Sequence, residues 1–470
     1  MGKYKELASN TTIFAISNIV SKLILSLLLP LYTRVLTTAE YGTAELLTTV
    51  SSLVIPVFSI AIQDSMFRYG LKDQNTAKKA LSNAMRIEII ASILLCVFSC
   101  CLRFYSPLSE YGVMFFGISV LTMFRSTLSL FSKTINKTKV FALDNVLYNL
   151  LLALLNIFFL CVLRFGLNGY FLAIIFANLL SVVFLGAKTS SVRIIKFYAV
   201  DKDLLREMVR YSAPLIINSI SWGLTHVVDK VMLASLQDVS STGIYSAASK
   251  IPSLLSLVTG VFSQAWSISA IKAIDNKDDS SFNSNIFQLY HVFLIITSVF
   301  ILSINNNLMI LILGNDFKEA VTYIPMLLIG AVFLAYSNYY SPIFAGLKKS
   351  NIIMASALGG AILNCILNYI MIPRYGIFGA CFATMMSYIF IGFYRMIMCQ
   401  RYNPIELNLV KLIPSLILFM FQSVVIYLKK DNLIINIVFL VIIIIIYFKS
   451  IVLWWKKLVE ILNKRRNTNR

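Results

Sequence analysis

The chain has 470 residues, of which 58% are hydrophobic and only 13% charged, too few charges to cover the surface of a water-soluble globule. Its net charge of +20 fits cytoplasmic loops of a membrane protein better than a nucleic-acid surface, since no soluble segment exists to carry a basic patch. No hydrolytic triad, metal cluster or phosphate-cradling glycine loop is present, and the two histidines, His226 and His291, leave few candidates for acid–base catalysis.

Apolar runs long enough to cross about 30 Å of hydrocarbon recur along the chain. They predict an all-α integral membrane protein with about fourteen transmembrane helices: 13–35, 44–62, 87–102, 111–130, 141–163, 169–187, 213–236, 243–267, 286–303, 321–345, 352–372, 377–394, 410–428 and 433–453. The first run follows Lys3 and Lys5, is too long for a signal-peptide core and lacks a small-residue cleavage site, so it is expected to stay as span one. Assigning residues at span ends to the nearer face, 30 of the 41 lysines and arginines fall on the side of the N-terminus, 7 on the other, and 4 inside spans. The asymmetry places both termini in the cytoplasm. The seven cysteines, Cys96, Cys100, Cys101, Cys161, Cys365, Cys381 and Cys399, show no metal-ligand spacing and read as small lipid-facing or core residues.

Two halves are visible. Arg164-Phe165-Gly166-Leu167-Asn168-Gly169 recurs as Arg374-Tyr375-Gly376-Ile377-Phe378-Gly379 at an offset of 210, and Gly42-Thr43-Ala44 recurs in Gly243-Ile244-Tyr245-Ser246-Ala247 at an offset of 201. Similar offsets at both ends of a six-helix block indicate a parallel tandem repeat. The expected organisation is an N-lobe over 1–190 (spans one to six), a cytoplasmic amphipathic linker over 191–212, a C-lobe over 213–400 (spans seven to twelve), and spans thirteen and fourteen with a basic cytoplasmic tail over 401–470. In the linker, Leu204, Leu205, Met208 and Val209 form an apolar stripe suited to lying on headgroups.

Charges inside the bilayer cost about 2.5–3.5 kcal/mol even on mild scales, so they mark protein interiors or wet cavities. Lys22 lies deep in span one, flanked at four residues either side by Asn18 and Ser26. Span seven carries Asn218, Trp222, His226 and Asp229 along one face, with Lys230 adjacent, and span eight carries Lys250. Glu45 opens span two and could meet Lys22 or Lys250 only if the helices bring them together. Arg125, near the cytoplasmic end of span four, is expected to reach lipid phosphates, although it remains a cavity candidate. Glu45 and Asp229 are the candidate acids. For Asp229, Lys230 and Lys250, structural pairing or snorkelling to the interface stands as the alternative to a substrate role.

Several stretches carry a family resemblance: Arg34-Val35-Leu36 with Glu40-Tyr41-Gly42, Gln63 to Arg68-Tyr69, Leu204 to Pro214, Trp222 followed by Asp229-Lys230, Gly243-Ile244-Tyr245-Ser246-Ala247, and Phe262-Ser263-Gln264-Ala265-Trp266. Through these the chain resembles oligosaccharide flippases and polysaccharide exporters of the multidrug/oligosaccharidyl-lipid/polysaccharide exporter superfamily. The resemblance implies two six-helix bundles around a cavity that opens alternately to either face. It implies a lipid-linked oligosaccharide of the undecaprenyl-pyrophosphate type as substrate, moved from the inner to the outer leaflet of a bacterial-type plasma membrane. Contacts with polysaccharide-assembly proteins and a monomeric state would accompany it, with no cofactor and an unidentified coupling ion, proton or sodium. A multidrug cation antiporter of the same superfamily is the first alternative; a membrane polysaccharide polymerase or ligase is the second, and would be expected to carry a substantial outer loop, which this sequence lacks.

Overall fold

A computed structural model describes residues 27–195, 201–275, 280–428 and 434–448, together with 17, 20, 21, 24, 25, 432 and 452. These residues are overwhelmingly helical, and no strand occurs among them. The helices are α1 (Leu29–Val35), α2 (Thr38–Phe58), α3 (Ile62–Gly70), α4 (Gln74–Cys101), α5 (Gly112–Thr134), α6 (Thr138–Asn156), α7 (Gly166–Thr189), α8 (Lys202–Leu236), α9 (Val239–Asp275), α10 (Ser280–Ile312), α11 (Ala320–Gly346), α12 (Ser350–Tyr375), α13 (Ile377–Tyr402) and α14 (Leu409–Tyr427), followed by α15 (Ile434–Phe448). A single turn, Ser191–Ile194, lies between α7 and α8.

Among the described residues, ten helices are long and apolar enough to cross a membrane. They coincide with expected spans two to six and nine to thirteen. This is a multi-pass membrane protein. Spans seven and eight fall within α8 and α9, of 35 and 37 residues. Much of span one lies outside the described residues.

Helix starts follow from local chemistry. Thr37 and Glu40 form a reciprocal capping box at α2, the Thr37 hydroxyl accepting from the Glu40 N–H and Glu40 accepting from the Thr37 N–H. Asp73 caps α4 through the amides of Asn75 and Thr76, and Asp201 caps α8 through that of Leu204. The repeated loop motif adopts one backbone form twice, with Gly166 at φ +54° and Gly376 at φ +55°, a left-handed conformation that costs glycine nothing.

The chain divides into two compact units. Unit 1 comprises Met1–Lys250, Ile312–Phe317 and Ala361–Ala383; unit 2 comprises Ile251–Leu311, Lys318–Gly360 and Thr384–Arg470. One apolar core of unit 1 joins Ile62 and Met66 of α3, Ala77 to Met85 of α4, Leu128 and Phe131 of α5, Leu185 of α7 and Met208 of α8. The apolar stripe expected to lie on headgroups contributes to this core. Residues 202–236 form one unbroken helix, and Met208, with Leu204 and Val209, packs on protein, because α3 and α4 offer the stripe a drier partner than headgroups do.

Unit 2 is built on aromatic packing. Trp266 stacks on Tyr339 at 4.7 Å and donates its indole N–H to the Tyr339 carbonyl at 2.8 Å. Phe262 stacks on Tyr290 at 4.3 Å, so the Phe262–Trp266 motif builds core. His291 is enclosed by three hydroxyls: Tyr336 on Nδ1 at 2.6 Å, and Tyr447 and Ser415 on Nε2 at 2.8 and 3.1 Å. Tyr447 and Ser415 also lie 2.9 Å from each other and within reach of the carbonyls of Lys411 and Leu412, so the histidine sits in a closed polar network.

Candidate functional site

In unit 1, α2 and α9 cross at two glycines. A Cβ on Gly42 would overlap the Val239 carbonyl oxygen, and one on Gly243 would overlap that of Thr38. The clashes are reciprocal at an offset of 201, the repeat offset read from sequence, so the two copies of the motif meet each other across a local pseudo-twofold. A hydrogen bond between Thr38 Oγ1 and Ser240 Oγ at 2.5 Å ties the crossing.

One turn beyond Gly42 lies Glu45, buried in the protein. Its carboxylate takes Lys230 Nζ of α8 at 2.7 Å on Oε2 and Lys250 Nζ of α9 at 2.9 Å on Oε1. Lys230 also reaches Thr49 Oγ1 at 2.9 Å, and the Tyr41 hydroxyl donates to Glu45 Oε1 at 3.2 Å. The rings of Tyr32, Tyr41, Tyr170 and Phe317 pack as a chain beside it, with centroids 5.0–6.1 Å apart. Two ammonium groups thus converge on one carboxylate in an aromatic surround, an arrangement that presents a net positive charge to an anion.

Asp229, next to Lys230 in sequence, faces a different set. Its Oδ2 accepts from the Tyr245 hydroxyl at 2.6 Å, and its Oδ1 accepts from Asn364 at 3.0 Å and Asn368 at 2.5 Å. Consecutive helical positions point about 100° apart, which splits the pair between these surroundings. Asn364 and Asn368 escaped sequence reading, although two asparagines at i and i+4 in an apolar span were a legible polar stripe.

Arg125 departs from the expectation that it meets lipid phosphates. Its Nη2 pairs with Asp144 of α6 at 3.1 Å, its Nε donates to Ser181 Oγ of α7 at 2.9 Å, and its guanidinium lies 3.6 Å from the Tyr148 ring centroid. Asp144 is fully buried and also accepts from the Ser181 hydroxyl. The acids are therefore more numerous than the two inferred from sequence. Asp144 adds one, and Glu88 of α4 adds another: it is buried, receives the Thr127 hydroxyl on one oxygen and has no hydrogen-bond partner on the other among the described residues. Both lie within runs whose average hydropathy masks single charges. Unit 2 holds a buried cation of its own, Arg395, hydrogen-bonded to Ser356, Ser341 and the Ser337 carbonyl at 2.6–3.1 Å.

Lys22, Asn18 and Ser26 lie outside the described residues. Asn218, Trp222 and His226 lie on α8, and their side chains are likewise outside those described. Among the described residues, no group of three His, Cys, Asp or Glu could hold a metal ion.

A sequence profile described as "Polysaccharide biosynthesis protein" matches residues 7–268, more than half of the chain and the stretch that contains Glu45, Lys230 and Lys250. The chain belongs to this family. The solved structures it resembles include an inward-facing multidrug resistance MATE family transporter of the MOP superfamily, with a TM-score of 0.70 at 11% identity, covering 82% of this chain and 97% of that one. They also include the lipid II flippase MurJ in an inward closed conformation, with a TM-score of 0.66 at 15% identity over 96% and 100% of the two chains. At such identities the likeness shows a shared fold. An uncharacterized membrane protein of Methanocaldococcus jannaschii is 28% identical over 184 residues, which are 38% of this chain and 43% of the length of that relative. The chain thus has the two-lobe all-α fold expected from the sequence.

Proposed function

We propose that this protein is a flippase that carries a lipid-linked oligosaccharide, on an undecaprenyl-pyrophosphate-type carrier, from the inner to the outer leaflet for surface polysaccharide biosynthesis. The observation that carries the reading is the convergence of Lys230 and Lys250 on one buried site beside Tyr32, Tyr41 and Tyr170. Two point charges suit a diphosphate, and aromatic faces and hydroxyls suit sugars. Membership of a polysaccharide biosynthesis family supports the same class of cargo. The chain acts as a transporter, with lobes over 1–190 and 213–400 alternating about the cargo, both termini cytoplasmic and the Glu45 cluster toward the outer side.

The test is charge removal. Lys230→Gln with Lys250→Gln should reduce export of surface polysaccharide at least tenfold at normal protein level in the membrane, and unchanged export overturns the reading. A second reading, an antiporter for organic cations, draws on the buried carboxyl of Glu88, which no cation meets in an ion pair among the described residues. Proton-driven efflux of a cationic dye by reconstituted protein would favour it.

A further inference from the structure

We propose that Glu45 is a built-in counter-ion that occupies the place of the cargo's diphosphate between Lys230 and Lys250, and that the arriving diphosphate displaces it and so unties α2 from α8 and α9. The inference rests on the flippase reading above and concerns how binding is converted into movement.

The geometry supplies three supports. The two Glu45 oxygens each take one ammonium, at 2.7 and 2.9 Å, so a two-oxygen anion already bridges the lysines as a phosphate group would. A diphosphate brings more charge and more acceptor oxygens to the same donors and competes on favourable terms. The exposure is graded: the Lys250 side chain is 43% exposed, that of Lys230 13% and that of Glu45 9%. An anion therefore meets Lys250 first and completes the exchange at Lys230. Finally, the ion pairs join elements of the two repeats. Glu45 stands on α2, while Lys230 and Lys250 stand on α8 and α9, and the same junction holds the Thr38–Ser240 hydrogen bond and the Gly42–Gly243 crossing.

A ligand shifts a conformational equilibrium only by binding one state better than the other. Exchange at Glu45 provides that difference. With both lysines turned to the diphosphate, the Glu45 carboxylate is left in a buried place with the Tyr41 hydroxyl as its remaining partner among those described above, a costly arrangement. The cost is relieved when α2 moves and Glu45 reaches water. Release of the cargo restores the internal pair and resets the junction. Cargo affinity and junction opening are thus opposite sides of one exchange.

The experiment uses the full chain, purified, with its seven native cysteines replaced and the pair Thr38→Cys and Ser240→Cys introduced. The rate of disulfide cross-linking under mild oxidant reports closure of the junction, and equilibrium binding of inorganic pyrophosphate reports the receptor. Sulfate at matched ionic strength controls for screening, and nanodiscs with or without a polyprenyl diphosphate lipid separate a free anion from a lipid headgroup. Pyrophosphate or the lipid should slow cross-linking about fivefold or more. Glu45→Gln should slow it without ligand and tighten pyrophosphate binding about tenfold. Glu45→Asp, which retracts the carboxylate by one methylene, should shift both in the same direction by less, and serves alone if the glutamine variant does not fold.

If the glutamate variants bind pyrophosphate no more tightly than wild type, or cross-link at the wild-type rate, the exchange is overturned and Glu45 is a plain interhelical tie. Loss of pyrophosphate binding in Lys230→Gln with Lys250→Gln would then leave the receptor standing. If that double variant binds pyrophosphate as wild type does, the receptor reading and the exchange fall together.

Discussion

Substituting Asp144 with asparagine keeps its shape and its hydrogen bond from Ser181 but removes the charge that Arg125 faces at 3.1 Å. At an effective dielectric of about 20, two unit charges at that distance attract by about 5 kcal/mol. Asp144 is fully buried and the Arg125 side chain is 15% exposed, so the arginine keeps part of its hydration and the loss for Asp144→Asn should be about 3 kcal/mol. Arg125→Met should cost a similar amount, since it strands a buried carboxylate and forfeits the contact with the Tyr148 ring. The double variant should cost only about 1–2 kcal/mol, because an apolar or neutral pair no longer pays desolvation. Fluorescence-detected gel filtration after graded heating in detergent measures the series, with midpoints roughly 5–10 °C lower for the single variants and partly restored in the double. Strictly additive losses would refute the reasoning and free Arg125 for a role at a ligand.

Gly243→Ala should lower the yield of folded protein sharply. The new methyl meets the backbone of Thr38, which cannot rotate away as a side chain would, and overpacking costs about 1–3 kcal/mol even where a core adjusts. Normal yield of folded protein, or loss of cross-linking between Thr38→Cys and Ser240→Cys in an otherwise folded protein that retains Gly243, would show that the backbones do not meet there. Acidification should act on two helix starts. The Asp73 carboxyl is held below the usual range chiefly by the Thr76 hydroxyl, and that of Asp201 chiefly by the Leu204 amide and then by Lys79. Because both values are depressed on folding, their stabilisation is fully present above about pH 4, the ordinary carboxylate value, and is lost as pH falls through the folded values. Hydrogen exchange at the amides of 75, 76 and 204 should therefore stay slow from pH 7 to about 5 after correction for intrinsic rates, and loss of protection already in that range would contradict the caps.

The spans were legible because each is a local property: a run of apolar residues must be helical in lipid whatever it packs against. The tandem repeat was legible too, since Gly166 and Gly376 need the same left-handed backbone and leave the same mark. Arg125 shows where such reading stops. Its position near a span end suggested headgroups, and only the packing of α5 against α6 and α7 brings Asp144 and Ser181 to it. The 202–212 stripe is a second case, because amphipathicity records that a face seeks an apolar partner and does not record whether that partner is lipid or protein.

By itself the sequence determined the solvent of this protein, the approximate place of its crossings, the offset of its two halves and most of the residue types worth watching. All of these follow from hydropathy, charge asymmetry and short motifs, which act over a turn or a span. Tertiary structure decided the partners. It placed Glu45 between Lys230 and Lys250, turned Asp229 toward Tyr245, Asn364 and Asn368, and closed Arg125 onto Asp144. Ion pairs between helices 185 or 205 residues apart in the chain depend on which faces meet when glycines such as Gly42 and Gly243 let backbones touch, and that choice is made by the packing of all the helices together.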